Sequence, residues 1–346
     1  MSKSIYERLA RTDGVTPRRV AKLKEKDWSL DAIDRFFKGP VRGQATQDPF
    51  CTPACLIYPD KLKHLVDPPL RLFFRGQPLS RLSESIVAVV GSRKATQYGL
   101  SAARRLGSAL ARQGVSVCSG LARGIDGAVH RGVLDELTRN PQAATPVGVL
   151  GHGWGQLHPR ENRDLFQALL QQGVLLTEYE RHTPPSKWTF PARNRIIASL
   201  SDHVVVVEAG IRSGSLHTAN FASQLHRDVW VVPSSPGRPN SAGVLNLLSQ
   251  DGTRMIVDFD EFVQEVAPGK TFLERSDLTD LPEQTRRILT ELARCEGRLD
   301  DLCEALDWSS TELAYRLTEL ELGGLVRRNL EGNYDLLCWE LLGQLG

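Results

Sequence analysis

Short runs of apolar residues alternate with amphipathic segments from residue 86 onward. Runs that are apolar throughout are typical of strands in a parallel sheet covered by helices on both faces. The sequence therefore predicts an α/β fold, an extended Rossmann-like, doubly wound parallel sheet. The predicted strands are 86–91, 115–120, 147–151, 174–179, 203–209, 229–233 and a weaker one at 254–258, and the predicted helices lie near 97–113, 124–138, 161–172, 215–227 and 243–251.

The two ends of the chain have a different pattern. Apolar residues recur at helical spacing over residues 4–38, which predicts a small helical domain, and a segment rich in Gly, Pro, Gln and Thr at 39–55 predicts a linker. Near the other end, three helical segments precede a predicted hairpin at Glu331-Gly332-Asn333, which is the plan of a winged helix. We therefore predict a helical domain at 1–50, the core at 51–266, a linker at 267–280 and a winged-helix domain at 281–346, with helices at 282–295, 299–306 and 309–323.

The composition is that of an ordinary globular protein. Of 346 residues, 41% are hydrophobic and 24% are charged. We find neither an apolar stretch long enough to span a membrane nor a signal-peptide core at the N-terminus, so we expect a cytoplasmic protein without membrane contact. The six cysteines contain no C-x-x-C pair, which indicates reduced thiols and no metal centre.

Charge is distributed unevenly along the chain. Residues 1–80 carry 15 Lys and Arg against 9 Asp and Glu, a net charge of +6, whereas residues 281–346 carry 7 against 13, a net charge of −6. Phosphate backbones attract the first region and repel the second. We therefore expect the tail to serve protein contacts or regulation rather than duplex DNA. For the basic N-terminal helices, DNA contact and a merely solvated face both stay open.

Small polar residues follow four of the predicted strands, where an open parallel sheet binds its ligands. They are Gly91-Ser92-Arg93, Ser119-Gly120, Gly151-His152-Gly153 and Ser213-Gly214-Ser215. Glycine lets a phosphate approach the backbone, while hydroxyls, helix amides and arginine donate hydrogen bonds to it. The alternative is that the glycines only make tight turns. Neither G-x-G-x-x-G nor a Walker A loop is present, so we predict a phosphate-binding site without NAD or ATP as a cofactor.

Residues 187–195, with the sequence KWTFPARNR, combine three cations with two aromatic residues. Single-stranded nucleic acid needs this combination, because a base stacks on the aromatic ring while the cations contact its phosphates. Alternatively, Trp188 and Phe190 belong to the core, and one of the two arginines pairs with a carboxylate such as Glu208. Glu178 and Glu208 end strands, and their acid or base chemistry beside a nucleotide is the enzymatic alternative.

Five segments of the core resemble the bacterial DNA-processing protein A family, also called DprA or Smf. The resemblance runs from about residue 58 to residue 258, with the motifs in the family's order. The N-terminal helices are similar to that family's SAM-like or helix-hairpin-helix module, and the tail to its winged helix. The segments that carry the resemblance are VAVVGSRKATQYG (87–99), SGLARGIDGAVHRGVL (119–134), GVLGHGWGQLHPREN (148–162), FPARNRIIASLSD (190–202) and VVVEAGIRSGSLHTA (205–219).

The resemblance implies a non-enzymatic, homodimeric protein of natural transformation (competence). Such a protein binds and protects incoming single-stranded DNA and helps to load the RecA recombinase for DNA recombination. An N-glycosidic nucleotide hydrolase on a similar core is the alternative, although residues 209–214 lack the Pro-Gly-Gly-x-Gly-Thr loop of those enzymes.

Carried over by position, Ser92 and Arg93 would grip phosphates, Lys187 would contact the strand and Phe190 would stack on a base. Gly153 and the serines near residue 214 would line the same pocket, and the roles of Arg193 and Arg195 stay open between DNA contact and support of the fold. The predicted single-stranded DNA site comprises Gly91, Ser92, Arg93, Ser119, Gly120, Gly153, Lys187, Phe190, Arg193, Asn194, Arg195, Ser213, Gly214 and Ser215.

Overall fold

The chain divides into two units, Met1–Val266 and Ala267–Gly346. The N-terminal helices belong to the first unit, in which Leu9 and Ile33 share a small core with Leu70. The predicted linker at 267–280 lies outside the described residues except for Ala267. A computed structural model describes residues 2–12, 15, 17–26, 29–36, 48–267, 282–292, 297–322, 326–328 and 332–336.

A nine-stranded sheet organises the first unit, in the order β1-β2-β6-β5-β4-β3-β7-β8-β9. Strands β3 to β9 are parallel to one another, and β1 and β2 are antiparallel at one edge. The predicted α/β class and all seven predicted strands are confirmed. The strands are β1 Phe50–Cys51, β2 Leu72–Gly76, β3 Ile86–Val90, β4 Ser116–Ser119, β5 Val147–Val149, β6 Val174–Thr177, β7 His203–Val206, β8 Asp228–Val231 and β9 Thr253–Met255.

Helices cover the sheet, and two of them approach each other closely. A Cβ atom added at Gly107 would lie 2.4 Å from the Val129 carbonyl oxygen, and one added at Gly132 would lie 2.0 Å from that of Arg104. Glycine at both positions therefore permits the close packing of α5 on α6. The helices are α1 Ser2–Arg11, α2 Pro17–Lys24, α3 Leu30–Phe36, α4 Asp60–Lys63, α5 Gln97–Arg112, α6 Ile125–Arg139, α7 Arg163–Gln172, α8 Thr189–Leu200, α9 Ser215–Gln224, α10 Ala242–Leu248 and α11 Phe259–Val266.

The linker prediction for residues 39–55 is wrong at its described end. Phe50–Cys51 forms β1 and pairs with Leu72 and Phe73 of β2. Asp48 is buried and accepts hydrogen bonds from Arg75 and Arg181. A strand of two residues is too short to produce a recognisable apolar pattern, which explains the error.

Strand order places a crevice at the centre of the sheet. β3 lies between β4 and β7, so the chain leaves β3 toward one side and later continues from β7 toward the other. The loops that follow these two strands diverge, which opens a crevice at their carboxyl ends. This position is where a doubly wound sheet binds its ligand.

The second unit has the predicted winged-helix pattern. Helices α12 Glu283–Leu292, α13 Leu299–Leu306 and α14 Ser310–Leu322 precede the antiparallel strands β10 Val326–Arg328 and β11 Tyr334–Leu336. Its core includes Ile288, Leu302 and Leu317. In the part of the chain that the structure describes, no helix has the length and apolar character that a membrane span requires.

Candidate functional site

A cavity of about 630 Å³ lies at the crevice between β3 and β7. Most of its lining comes from the loop after β3, the start of α8 and the loop between β7 and α9, and the segment from β4 to the start of α6 and the segment between β8 and α10 also contribute. Five cationic side chains and one carboxylate, that of Asp126, are part of its lining, so the cavity favours an anion. The sequence-predicted residues found here are Gly91, Ser92, Arg93, Lys187, Phe190, Arg193, Asn194, Ser213, Gly214 and Ser215.

The loop after β3 is fixed to the end of β7. The Ser92 amide donates a hydrogen bond to the Glu208 carbonyl oxygen at 2.6 Å, and the Ser92 hydroxyl accepts one from the Lys94 amide at 3.1 Å. A Cβ added at Gly91 would lie 2.6 Å from Cγ1 of Ile125, so the loop also packs tightly on α6. This anchoring leaves the side chains of Arg93 and Lys94 exposed at the cavity.

The loop before α9 forms the facing wall. The Ser213 and Ser215 hydroxyl oxygens lie 2.8 Å apart, and Asn194 donates a side-chain hydrogen bond to the Gly214 carbonyl oxygen at 3.1 Å. The space beside Gly214 is open, because a Cβ added there would meet no atom within 4 Å. The N-terminus of α9 therefore directs the positive end of its dipole to a position that an anion can reach.

Phe190 lies between this cavity and a second one of about 300 Å³, and it lines both. Its ring is half-buried, with the Arg93 guanidinium carbon 5.1 Å and the His158 ring centroid 5.5 Å from its centroid. The Ser186 hydroxyl accepts hydrogen bonds from the amides of Trp188 and Thr189, each at 3.2 Å, which fixes the turn that starts α8. Trp188 is 73% exposed, which excludes the alternative that it is a core residue.

Arg193 reaches the cavity from a buried position. It donates a hydrogen bond to the Val149 carbonyl oxygen, and burial lowers its pKa while the charge of Asp126 acts in the opposite direction. A Cβ added at Gly120 would lie 2.3 Å from Nη1 of Arg193, so Gly120 provides the space that this guanidinium occupies. Gly120 therefore serves the site indirectly. The structure does not bring Ser119 into the cavity, because its buried hydroxyl donates to the Val89 carbonyl oxygen at 2.6 Å.

Arg195 points away from the cavity into a buried ion pair. Its two terminal nitrogens each lie 2.8 Å from a carboxylate oxygen of Glu178, and its Nε lies 3.1 Å from Oδ1 of Asp67. The side chains of Arg195 and Glu178 are 6% and 9% exposed. The pairing of an arginine with a carboxylate, which the sequence left open, therefore applies to Arg195, and its partners are Glu178 and Asp67 instead of Glu208.

Gly153 lies outside the cavity as well. Its amide donates a hydrogen bond to the Thr183 carbonyl oxygen at 3.0 Å, and an added Cβ would lie 1.9 Å from the Glu180 carbonyl oxygen. Glycine at this position therefore permits close packing of the loop after β5 on residues 180–183. This role is structural.

The two carboxylates considered as an acid or base have structural partners. Glu178 is engaged by Arg195, and Glu208 is buried and accepts hydrogen bonds from the Thr96 amide at 2.9 Å and from the Asn240 side chain at 3.4 Å. Neither lines the cavity. Among the described residues, no group of three His, Cys, Asp or Glu side chains is arranged to hold a metal ion.

Five further polar residues line the cavity without having been selected as site residues from the sequence, namely Lys94, Asp126, Arg212, Thr218 and Asn240. Lys94 and Arg212 adjoin selected residues in the same loops, so their charge was a signal that the sequence contained. Asn240 comes from the segment between β8 and α10, where no pattern indicated proximity to the site.

A doubly wound core with a cationic switch-point cavity and a winged-helix pattern defines a Rossmann-like protein whose cavity is suited to an anion. The family model described as DNA recombination-mediator protein A matches residues 50–267, and the one described as DprA winged helix domain matches residues 274–332. The chain therefore belongs to the DNA recombination-mediator protein A family.

Two curated relatives support this assignment. The chain is 35% identical over 279 residues to Protein Smf of Escherichia coli, an alignment covering 78% of this chain and 72% of the relative. It is 36% identical over 209 residues to DNA processing protein DprA of Bacillus subtilis, covering 60% and 68%.

Two solved structures share the fold. DNA processing protein A from Streptococcus pneumoniae has a TM-score of 0.65 at 28% identity, covering 79% of this chain and 99% of that one. DNA processing protein A from Helicobacter pylori, whose single-stranded DNA binding mode has been described, has a TM-score of 0.58 at 25% identity, covering 65% and 98%.

Proposed function

We propose that this chain binds single-stranded DNA in the switch-point cavity. The observation that carries the proposal is the half-buried Phe190 beside five cationic side chains. An aromatic ring and a set of cations are the two components with which proteins bind unpaired strands, by stacking on a base and by contacting phosphates. The Helicobacter pylori relative binds single-stranded DNA, which supports the same substrate here.

The geometry favours single strands over duplex DNA. Phe190 lies in the wall of a cavity, where a base reaches it only after leaving a helical stack. Stacking and phosphate contacts read neither the donors nor the acceptors of base edges, so binding has little sequence preference. The proposed site residues are those that line the cavity, with Gly120 as support for Arg193.

Family membership supports a wider role for the chain. It acts as a homodimer in the cytoplasm, protects incoming single strands during natural transformation and helps to load the RecA recombinase. It does so without catalysis, which agrees with the engagement of Glu178 and Glu208 in structural contacts.

Arg93→Ala and Lys187→Ala test the phosphate contacts. Affinity for single strands falls as salt rises, and each phosphate neutralised contributes about 0.7 to the steepness of log affinity against log salt. We therefore expect each variant to make that dependence less steep by about 0.7. Fluorescence anisotropy with a labelled oligonucleotide at several salt concentrations measures it. Arg81→Ala, an exposed arginine ahead of the amino end of β3, is the matched control and keeps the slope of the unmodified chain. An unchanged slope in both site variants would contradict the proposal.

The winged helix serves protein contacts or regulation in this proposal. Exposed Glu312, Glu319 and Glu321 lie on α14, and this acidic surface repels phosphates. A chain that ends at Val266 is therefore expected to bind single-stranded DNA at least as tightly as the full chain. Parallel titrations of the two proteins measure this, and a clear loss of affinity on truncation would assign DNA contact to the tail.

A further inference from the structure

A groove of about 710 Å³ adjoins the cavity on the other side of the first turn of α8. Pro191 lines both, so a strand that leaves the cavity past Pro191 enters the groove. The remaining walls come from α9, from the loop after α4, from the residues that follow β6 and from the N-terminal end of α2, which contributes Pro17 and Arg18. The groove therefore connects the proposed DNA site with the basic N-terminal helices.

Apolar side chains form much of the groove lining. They include Leu65, Val66, Phe221 and Leu225. Val66 is 73% exposed, although it lies in a concave surface. Apolar and aromatic side chains of this kind contact the faces of unstacked bases.

The charged side chains that line the groove balance one another, and the net positive charge beside it belongs to α2. The groove's two carboxylates, Asp67 and Glu178, both pair with Arg195, which offsets one of their two negative charges, and Arg18 in the same lining offsets the other. Arg18 is exposed at the groove. It belongs to α2, whose eight residues PRRVAKLK contain four cations and no acidic residue. A single strand whose bases contact the apolar lining and whose phosphates lie beside α2 would match both the apolar character of the groove and the positive charge of α2.

We propose that the groove and α2 form a second binding segment for the same single strand. The strand passes from the cavity over Pro191, places bases against Val66 and Phe221, and brings its phosphates to Arg18. This inference rests on the proposed function, since it extends the path of the same ligand. It also assigns the charge of the N-terminal helices to DNA contact.

Binding of a length series of labelled oligothymidylates to the full-length chain tests the inference. The shortest member fills the cavity alone, and the longer members also reach the groove. We expect affinity to rise with length until the groove is filled. Val66→Glu places a carboxylate in the groove and is expected to weaken binding of the long oligonucleotide about tenfold, the equivalent of one base contact, with no effect on the shortest.

The matched control is Leu56→Glu, which adds the same charge at a fully exposed apolar residue that does not line the groove. It is expected to leave both oligonucleotides unaffected. Arg18→Ala tests the phosphate contact without adding a charge. We expect it to lower the salt slope by about 0.7 for the long oligonucleotide only.

The outcomes separate the inference from the proposed function. Failure of the unmodified chain to bind the shortest oligonucleotide would contradict the proposed function itself. If that oligonucleotide binds but Val66→Glu and Arg18→Ala leave the long one unchanged, the groove inference is overturned, and the groove is free to hold an acidic peptide instead. Equal weakening by Val66→Glu and Leu56→Glu would also overturn it, because general repulsion would then account for the loss.

Discussion

Replacement of Arg195 by Met is expected to lower the free energy of unfolding by about 3–5 kcal/mol, the cost of leaving a buried carboxylate without its partner. Arg195 and Glu178 are 6% and 9% exposed and share two hydrogen bonds of 2.8 Å. Without the guanidinium, Glu178 would stay desolvated with an unpaired charge, and Asp67 would lose its partner as well. Urea unfolding followed by tryptophan fluorescence measures the change.

Two further variants identify the cause of that loss. Arg123→Met removes an exposed arginine that pairs with Glu161. Because the side chains of Arg123 and Glu161 are 62% and 54% exposed, the change in the free energy of unfolding should stay within about 1 kcal/mol. Arg195→Met combined with Glu178→Leu removes both buried charges and should regain most of the lost stability. If Arg195→Met unfolds like the unmodified chain but loses DNA affinity, Arg195 contacts DNA and its assignment to the ion pair is wrong.

Phe190→Ala is expected to cost about 1–3 kcal/mol in single-strand affinity, the usual contribution of one stacked base. Since the side chain is uncharged, the slope of log affinity against log salt should stay that of the unmodified chain. This pair of results distinguishes Phe190 from Arg93 and Lys187, whose removal lowers the slope. Anisotropy titrations at several salt concentrations measure both quantities.

Phe190→Trp provides the matched comparison, because it retains an aromatic face at the same position. It should keep most of the affinity that Phe190→Ala loses. Thermal unfolding of both variants checks that α8 still packs at the cavity. An intact Phe190→Ala protein that binds single strands normally would exclude base stacking on this ring.

The strands of the core were predictable because burial leaves a simple pattern. Val204, Val205 and Val206 are fully buried in β7, and a strand covered on both faces is apolar at every position. The edge of the sheet lacked this signal. β2 follows Arg71, a buried cation whose guanidinium lies 5.1 Å from the Phe73 ring, and this polar residue interrupts the apolar run.

The location of the candidate site was predictable, but the direction of individual side chains in α8 was not. Successive residues of a helix are rotated by about 100°, so three adjacent polar residues face three different directions. Arg193 donates to the Val149 carbonyl oxygen, Asn194 to that of Gly214, and Arg195 to Glu178. The sequence shows that these polar residues are close together in the chain, but only their hydrogen-bond partners show which of them reach the cavity.

Titration of the purified chain with labelled single-stranded and duplex oligonucleotides of the same sequence, at low and at high salt, would show whether the cavity binds unpaired DNA. We expect tight binding of the single strand, weakening as salt rises, and much weaker binding of the duplex. Equal affinity for the two forms, or no binding of the single strand, would contradict a cavity that binds unpaired DNA through Phe190 and its neighbouring cations.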